Sequence, residues 1–415
     1  MSDVAPARAA AFRVLRRVFE DGAYADRALR SEEAALDARD RALARRLAFG
    51  AVQRKRTLDH AIETLGRRPV RKLDAPVVAA LRLGAYQVAF MDGVPRYAAV
   101  NESVELVRRA GLERAVSFTN AVMRRVAEGA RAVCDALPER TAPEAALRHS
   151  YPDWIAETWW RELGPEEARA LMVVQNEEPE TAVRLVRGEV DGRPDPDIPR
   201  AWIVDRVDEH ALAEGRIWPQ SRASQLVGLA VGSRPGERTL DLCAAPGGKA
   251  TMLAGVVDAV EVDEARADAL RGTAARLGAT GVRVLHADGR RLPPELTGYD
   301  RALVDAPCSG LGVLASRPDL RWRATPLPEL QRELLRAAVD RTRADGIVVY
   351  SVCTVDSEES EDVVDAVVAD GTVRVDASLA GEWPQYRHGR RPEFLQTLPH
   401  RDRTSGFFVA RLVVA

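Results

Sequence analysis

Lysine is almost missing from this chain. Of its 415 residues only Lys55, Lys72 and Lys249 are lysines, so arginine supplies the other 57 of 60 basic side chains. Cysteine is scarce as well. Cys134, Cys243, Cys308 and Cys353 are scattered without a C-x-x-C pair, which argues against structural zinc and against a disulfide frame. No apolar run approaches the length of a membrane span, and Met1 to Arg13 lack the core of a signal peptide. A cytoplasmic protein without membrane or metal partners is expected. The G-x-x-x-x-G-K-[ST] spacing of a triphosphate loop is absent, and so is the G-x-G-x-x-G order of a dinucleotide site.

The charge that is present is unevenly spread. Residues 1–130 carry 24 Lys and Arg against 16 Asp and Glu, a balance of +8. The remainder carries 36 against 46, a balance of −10. A basic module joined to an acidic one suggests that the first meets a polyanion. The chain's bias towards arginine is overridden at Lys249, inside the small-residue stretch Cys243-Ala244-Ala245-Pro246-Gly247-Gly248-Lys249. An ammonium is a compact point charge and a guanidinium a wide fork, so that turn is expected to need the smaller head.

The length implies more than one domain. From Ala7 to about Glu128 apolar residues recur every three or four positions, which predicts an all-α bundle over residues 1–135. Arg8, Arg13, Arg16, Arg17 and the run Arg54-Lys55-Arg56 are candidates for phosphate contact in that bundle. Residues 136–219 read as a linker and a small α/β bridging subdomain, with a strand at 181–186 and a loop at 188–199. From residue 220 to 415 short apolar strands (239–243, 259–263, 282–286, 300–305, 346–351) alternate with helical stretches. That alternation predicts a Rossmann-like α/β domain with a doubly wound, mainly parallel sheet and its site at the carboxyl ends of the strands. A last strand at 406–412 is expected to join the sheet edge antiparallel.

Each strand ends in chemistry. The first runs into the glycine turn, where Gly247 and Gly248 let backbone N–H groups approach a ligand. The second ends at Glu261, the third at Asp288, the fourth at Asp305 with Cys308 just beyond, and the fifth at Cys353. One acid closing a strand is commonly a helix cap. Four such endings with two cysteines on one edge are hard to explain as caps.

Two resemblances sharpen this. The runs Leu81-Arg82-Leu83-Gly84-Ala85-Tyr86-Gln87 and Ala99-Val100-Asn101-Glu102-Ser103-Val104 resemble the NusB-like RNA-binding domain. The blocks Asp241–Lys249, Asp288-Gly289-Arg290, Asp305-Ala306-Pro307-Cys308-Ser309-Gly310 and Tyr350-Ser351-Val352-Cys353 resemble the RsmB/Nop/Sun family of RNA cytosine-5 methyltransferases. Arg317-Pro318-Asp319-Leu320-Arg321-Trp322 and Gly406-Phe407-Phe408 add to that likeness. It implies a seven-stranded methyltransferase sheet and S-adenosyl-L-methionine as cofactor. Ribosomal RNA of the small subunit is implied as substrate, and a monomer is expected.

By that likeness Cys243, Ala244, Ala245, Pro246, Gly247, Gly248 and Lys249 wrap the methionine part of the cofactor. Glu261 holds the ribose, Asp288 the adenine, and Asp305 lies between cofactor and base. Cys353 is the nucleophile on C6 of the cytosine and Cys308 assists release, an assignment that rests on the likeness and not on spacing. Arg317, Arg321 and Arg323, beside Trp322, are candidates for RNA contact on the catalytic face. Val352, Ser360 and Ser405 depart from the family's usual residues. The same chemistry on transfer RNA or another ribosomal position stays open, as does a non-catalytic RNA-binding assembly factor.

Overall fold

The computed structural model describes residues 4–415. They divide into two compact units, one reaching to Glu177 and including Leu314–Arg323, the other formed by Glu178–Val313 and Ala324–Ala415.

The first unit is helical. Seven helices run over Pro6–Phe19, Ala25–Glu33, Ala38–Gln53, Lys55–Gly66, Ala75–Phe90, Arg96–Arg109 and Glu113–Asp135. Three shorter ones follow at Ala142–His149, Asp153–Leu163 and Pro165–Val174. Local chemistry sets several starts. Asp37 accepts from the Asp40 amide, Thr141 and Glu144 form a reciprocal capping box, and Pro76 sits in the first turn of its helix. Ala75–Phe90 is buried on nearly every side and is the core helix of the bundle. Leu15, Leu47, Leu58 and Ile62, from three helices packed on it, share its core, each side chain fully buried and each contributing roughly 2 kcal/mol of burial.

The arginines of this unit are largely engaged internally. Arg13 pairs with Glu32, Arg16 with Glu20, and Arg8 with Gln87 and Glu102. Arg17 bonds Ser31, Arg54 lies over the Phe90 ring, and Arg56 bonds the Tyr151 carbonyl and Asp153. The segment Leu314–Arg323 corrects an expectation. Arg321 is 1% exposed, stacks on Tyr151, and donates to the carbonyls of Gln53, Ser150 and Gln175 and to Asn176 Oδ1. Trp322 Nε1 donates to the Val52 carbonyl, Arg323 to that of Gly22, and Arg317 lies over Tyr24. These side chains are fasteners of the helical unit. Arg321 is buried and not offered to RNA, because carbonyls that close helix ends supply the acceptors a phosphate would have supplied.

The second unit holds two sheets. β1 (Ala182–Leu185), β2 (Arg193–Pro194), β3 (Ala201–Ile203) and β4 (Ile217–Pro219) form a small antiparallel sheet in the order β2-β3-β1-β4. The stretch read as a loop at 188–199 therefore contains one short strand. The large sheet contains β5 (Arg238–Asp241), β6 (Val256–Glu261), β7 (Val282–His286), β8 (Tyr299–Asp305), β9 (Thr342–Val352), β10 (Val373–Val375), β11 (Leu395–Thr397) and β12 (Phe407–Val414). Its main order is β10-β12-β9-β8-β5-β6-β7, with β11 paired to β12. β9, β8, β5, β6 and β7 are mutually parallel, as expected of alternating strands and helices.

The last strand is antiparallel to β9, as expected, but it is not an edge, because β10 covers its other side. That makes eight strands where seven were expected, the extra one being the short β11 hairpin partner. Register brings the chemistry together. Asp241 lies opposite Leu303 and Ala259, and Asp305 lies opposite Ser351, so the carboxyl ends of β5, β6, β8 and β9 share one edge. Strand order reverses between β5 and β8, where open α/β sheets bind their ligands.

Candidate active site

The turn after β5 is close-packed around its two glycines. Gly247 has φ +104°, and a Cβ there would come within 2.5 Å of Leu270 Cδ1. A Cβ on Gly248 would approach Trp218 Nε1 to 3.0 Å. The glycine turn runs into a single 3-10 turn, Ala250–Met252. Thr251 ties that turn down by donating to the Gly247 carbonyl at 2.7 Å, and Arg184 of the small sheet donates to Thr251 at 2.7 Å.

Lys249 reaches from the turn to the end of β8, its Nζ 2.7 Å from Asp305 Oδ2 and over the Phe407 ring. The other oxygen of Asp305 accepts from Ser351 Oγ at 2.7 Å. Two residues beyond Ser351 stands Cys353, and its sulfur is 3.4 Å from that of Cys308. One connected set thus runs from Lys249 through Asp305 and Ser351 to the two thiols. The hydrogen bond to Cys353 pushes the Cys308 thiol well above its ordinary pKa, and burial and the negative charge of Glu359 add to it. The Cys243 thiol is raised by burial and by Asp241, Asp305 and Glu261, which disfavours its thiolate.

Glu261 closes β6, buried, with Arg266 3.3 Å away and the Asp263 amide donating to it. Asp288 follows β7 and is gripped by Arg290, whose bonds hold its carboxyl below the usual range. Val352 is buried in the core, Ser360 donates to the Asp356 carbonyl, and Ser405 offers its carbonyl to Thr397. None of these three departures removes a group from the set around Asp305.

Sequence reasoning passed over Asp241. It is 1% exposed, and neither oxygen has a hydrogen-bond partner of good geometry, the Cys243 amide offering only a partial one. Burial, with Asp305 close by, pushes its pKa up to about 7. An orphaned buried carboxylate at the mouth of a glycine turn fits a cationic ligand, which would supply the missing partner. The signal was available: Asp241 ends its strand as Glu261 and Asp305 end theirs. Among the described residues no group of His, Cys, Asp and Glu is placed to hold a metal ion, and no helix is long and apolar enough to cross a membrane.

Residues 229–413 match the family described as 16S rRNA methyltransferase RsmB/F, and residues 5–128 match the NusB family. The ribosomal RNA small subunit methyltransferase B of Thermus thermophilus is 38% identical over 83% of this chain and 82% of its own. The chain belongs to the RsmB/F methyltransferase family. The Salmonella newport protein of the same name is 29% identical over 98% of both chains. The crystal structure of PH0851 superposes with a TM-score of 0.82 at 22% identity, over 99% of each chain, and shares the fold.

Proposed function

We propose that this RNA methyltransferase transfers a methyl group to C5 of a cytosine in small-subunit ribosomal RNA, with S-adenosyl-L-methionine as donor. The observation that carries the reading is the 3.4 Å separation of Cys308 and Cys353, which follow Asp305 and its partner Ser351 by three and two residues. Relatives named for the small-subunit RNA reaction support the substrate class. When bound, the cofactor supplies an electrophilic methyl group on a sulfonium.

C5 of cytosine is too weak a nucleophile to react unaided. Addition of the Cys353 thiolate at C6 breaks the ring's aromaticity and makes C5 enamine-like. A Cys308 thiol held protonated can donate to the Cys353 sulfur across their 3.4 Å contact. Asp305, held by Lys249 and Ser351, would pass a proton to N3 of the base as C6 is attacked and so take up the electron pair pushed into the ring. Once a base takes the C5 proton, the C5–C6 double bond re-forms and the C6–S bond breaks, freeing Cys353 as the Cys308 thiol donates to the departing sulfur. The glycine turn, Asp241, Glu261 and Asp288 hold the cofactor, and the target cytosine leaves its stack to enter.

Cys353→Ala is expected to abolish methylation, and Cys308→Ala to accumulate a covalent RNA adduct that survives denaturing electrophoresis. A trapped Cys353→Ala would reverse the roles. Bisulfite sequencing of ribosomal and transfer RNA from a deletion strain reads the target; loss of a 5-methylcytosine only in transfer RNA would overturn the substrate.

A further inference from the structure

Glu359 is a fully buried carboxylate whose partners are all neutral donors. Its Oε1 accepts from the amides of Ser309 (3.0 Å) and Leu327 (2.9 Å) and from Gln331 Nε2 (2.9 Å). Its Oε2 accepts from the Ser309 amide at 3.1 Å and from the Ser309 hydroxyl. Because that hydroxyl gives its hydrogen to Glu359, Thr354 must donate to Ser309 Oγ across their 2.8 Å contact. Gln331 also donates to the Pro307 carbonyl, and Tyr350 donates to the Glu359 carbonyl. Ser309 follows Cys308 directly and Thr354 follows Cys353 directly. One carboxylate therefore grips both cysteine-bearing turns from behind.

Burying a carboxylate without a cation is costly, and a neutral or apolar side chain would close the fold more cheaply. What the ion adds is a fixed cradle of donors that cannot slip by one atom without leaving a bond unmade. We propose that Glu359 is a positioning residue of the reaction: it locks the Pro307–Ser309 turn against the Cys353–Thr354 turn, and so sets the spacing over which Cys308 resolves the adduct on Cys353. The inference rests on the reading of the two cysteines given above. Glu359's charge also contributes to keeping Cys308 a thiol, with Cys353 and Tyr350 the other titrating groups facing it.

The test uses the full chain with Glu359→Gln and the milder Ser309→Ala, which removes the hydroxyl's links to Glu359 and Thr354 and keeps the amide bonds to Glu359. Spacing is read without RNA or cofactor, by the rate at which diamide joins Cys308 to Cys353. Each thiol gives a hydrogen to the azo bond, which becomes a hydrazine as the disulfide forms. Cross-linking is expected to slow about tenfold in Glu359→Gln and about threefold in Ser309→Ala. In turnover, kcat is expected to fall about tenfold at unchanged RNA KM, with adduct accumulating. Cross-linking at the native rate in both variants would overturn the proposal. So would slowed cross-linking with native turnover, which would make Glu359 a fastener only. Slowed cross-linking with no adduct in any variant, Cys308→Ala included, would instead bring down the cysteine reading beneath it.

Discussion

The orphaned carboxylate of Asp241 makes cofactor affinity depend on pH in a direction that can be worked out beforehand. Its folded pKa is about 7, against about 3.9 for an exposed aspartate. Without ligand the folded chain therefore binds more protons than the unfolded one between about pH 4 and 7, and Asp241 lowers stability as pH rises through that window. Three units correspond to about 4 kcal/mol of penalty on the ionised form. A cationic ligand needs the ionised form and recovers part of that penalty, so binding below pH 7 must expel a proton.

At pH 5.5 only about 3% of Asp241 is ionised, so affinity for S-adenosylmethionine is expected to be about 25-fold weaker than at pH 7.5. Titration calorimetry in buffers of different ionisation enthalpy counts the proton directly. About 0.9 proton should be released per cofactor at pH 6, falling towards 0.2 at pH 7.5. Asp241→Asn should bind more weakly at pH 7.5 and flatten both profiles. A native affinity that stays flat from pH 5.5 to 7.5, or a slope that survives in Asp241→Asn, would refute the argument.

Lys249→Arg should fail to rescue what Lys249→Met loses, a drop of roughly a hundredfold in kcat/KM, because a guanidinium fork can spread over Asp305 and Asp241 where the ammonium commits to Asp305; single-turnover methylation checks this. Arg321→Ala and Arg321→Lys should each cost about 2–4 kcal/mol in denaturant unfolding, since both leave buried carbonyls unpaired. RNA affinity per folded molecule should stay the same; a fall in affinity at native stability would restore Arg321 as an RNA contact.

How much of this was legible in the sequence depended on whether a residue's role followed from chain geometry or from tertiary burial. Parallel strands deliver their carboxyl ends to one edge, so Glu261, Asp288, Asp305 and the glycine turn could be placed from periodicity alone. That Ser351 would stand opposite Asp305 is a matter of register, which the apolar pattern of β9 does not state. Glu359 sits in Ser357-Glu358-Glu359-Ser360-Glu361, a run that reads as a wetted helix start. Only the fold, by bringing Ser309, Leu327 and Gln331 onto it, makes Glu359 the acid that reaches the cysteine turns, while Glu361, also buried, pairs with Arg390 and His388. Arg321 misled for the same reason: arginine beside tryptophan has the chemistry of an RNA contact and equally that of a buried fastener, and burial decides between them.

The lysine pattern gains its physical sense at this point. In the second unit Lys249 is the sole lysine, and it stands among Asp241, Asp305 and Glu261. One ammonium cannot offset three acids. It pairs with Asp305, whose other oxygen accepts from Ser351, and leaves Asp241 unmatched. A wide guanidinium could have bridged both acids and discharged the site. The compact head commits to one and keeps the other in want of a positive charge, which is the property a sulfonium-carrying cofactor would use.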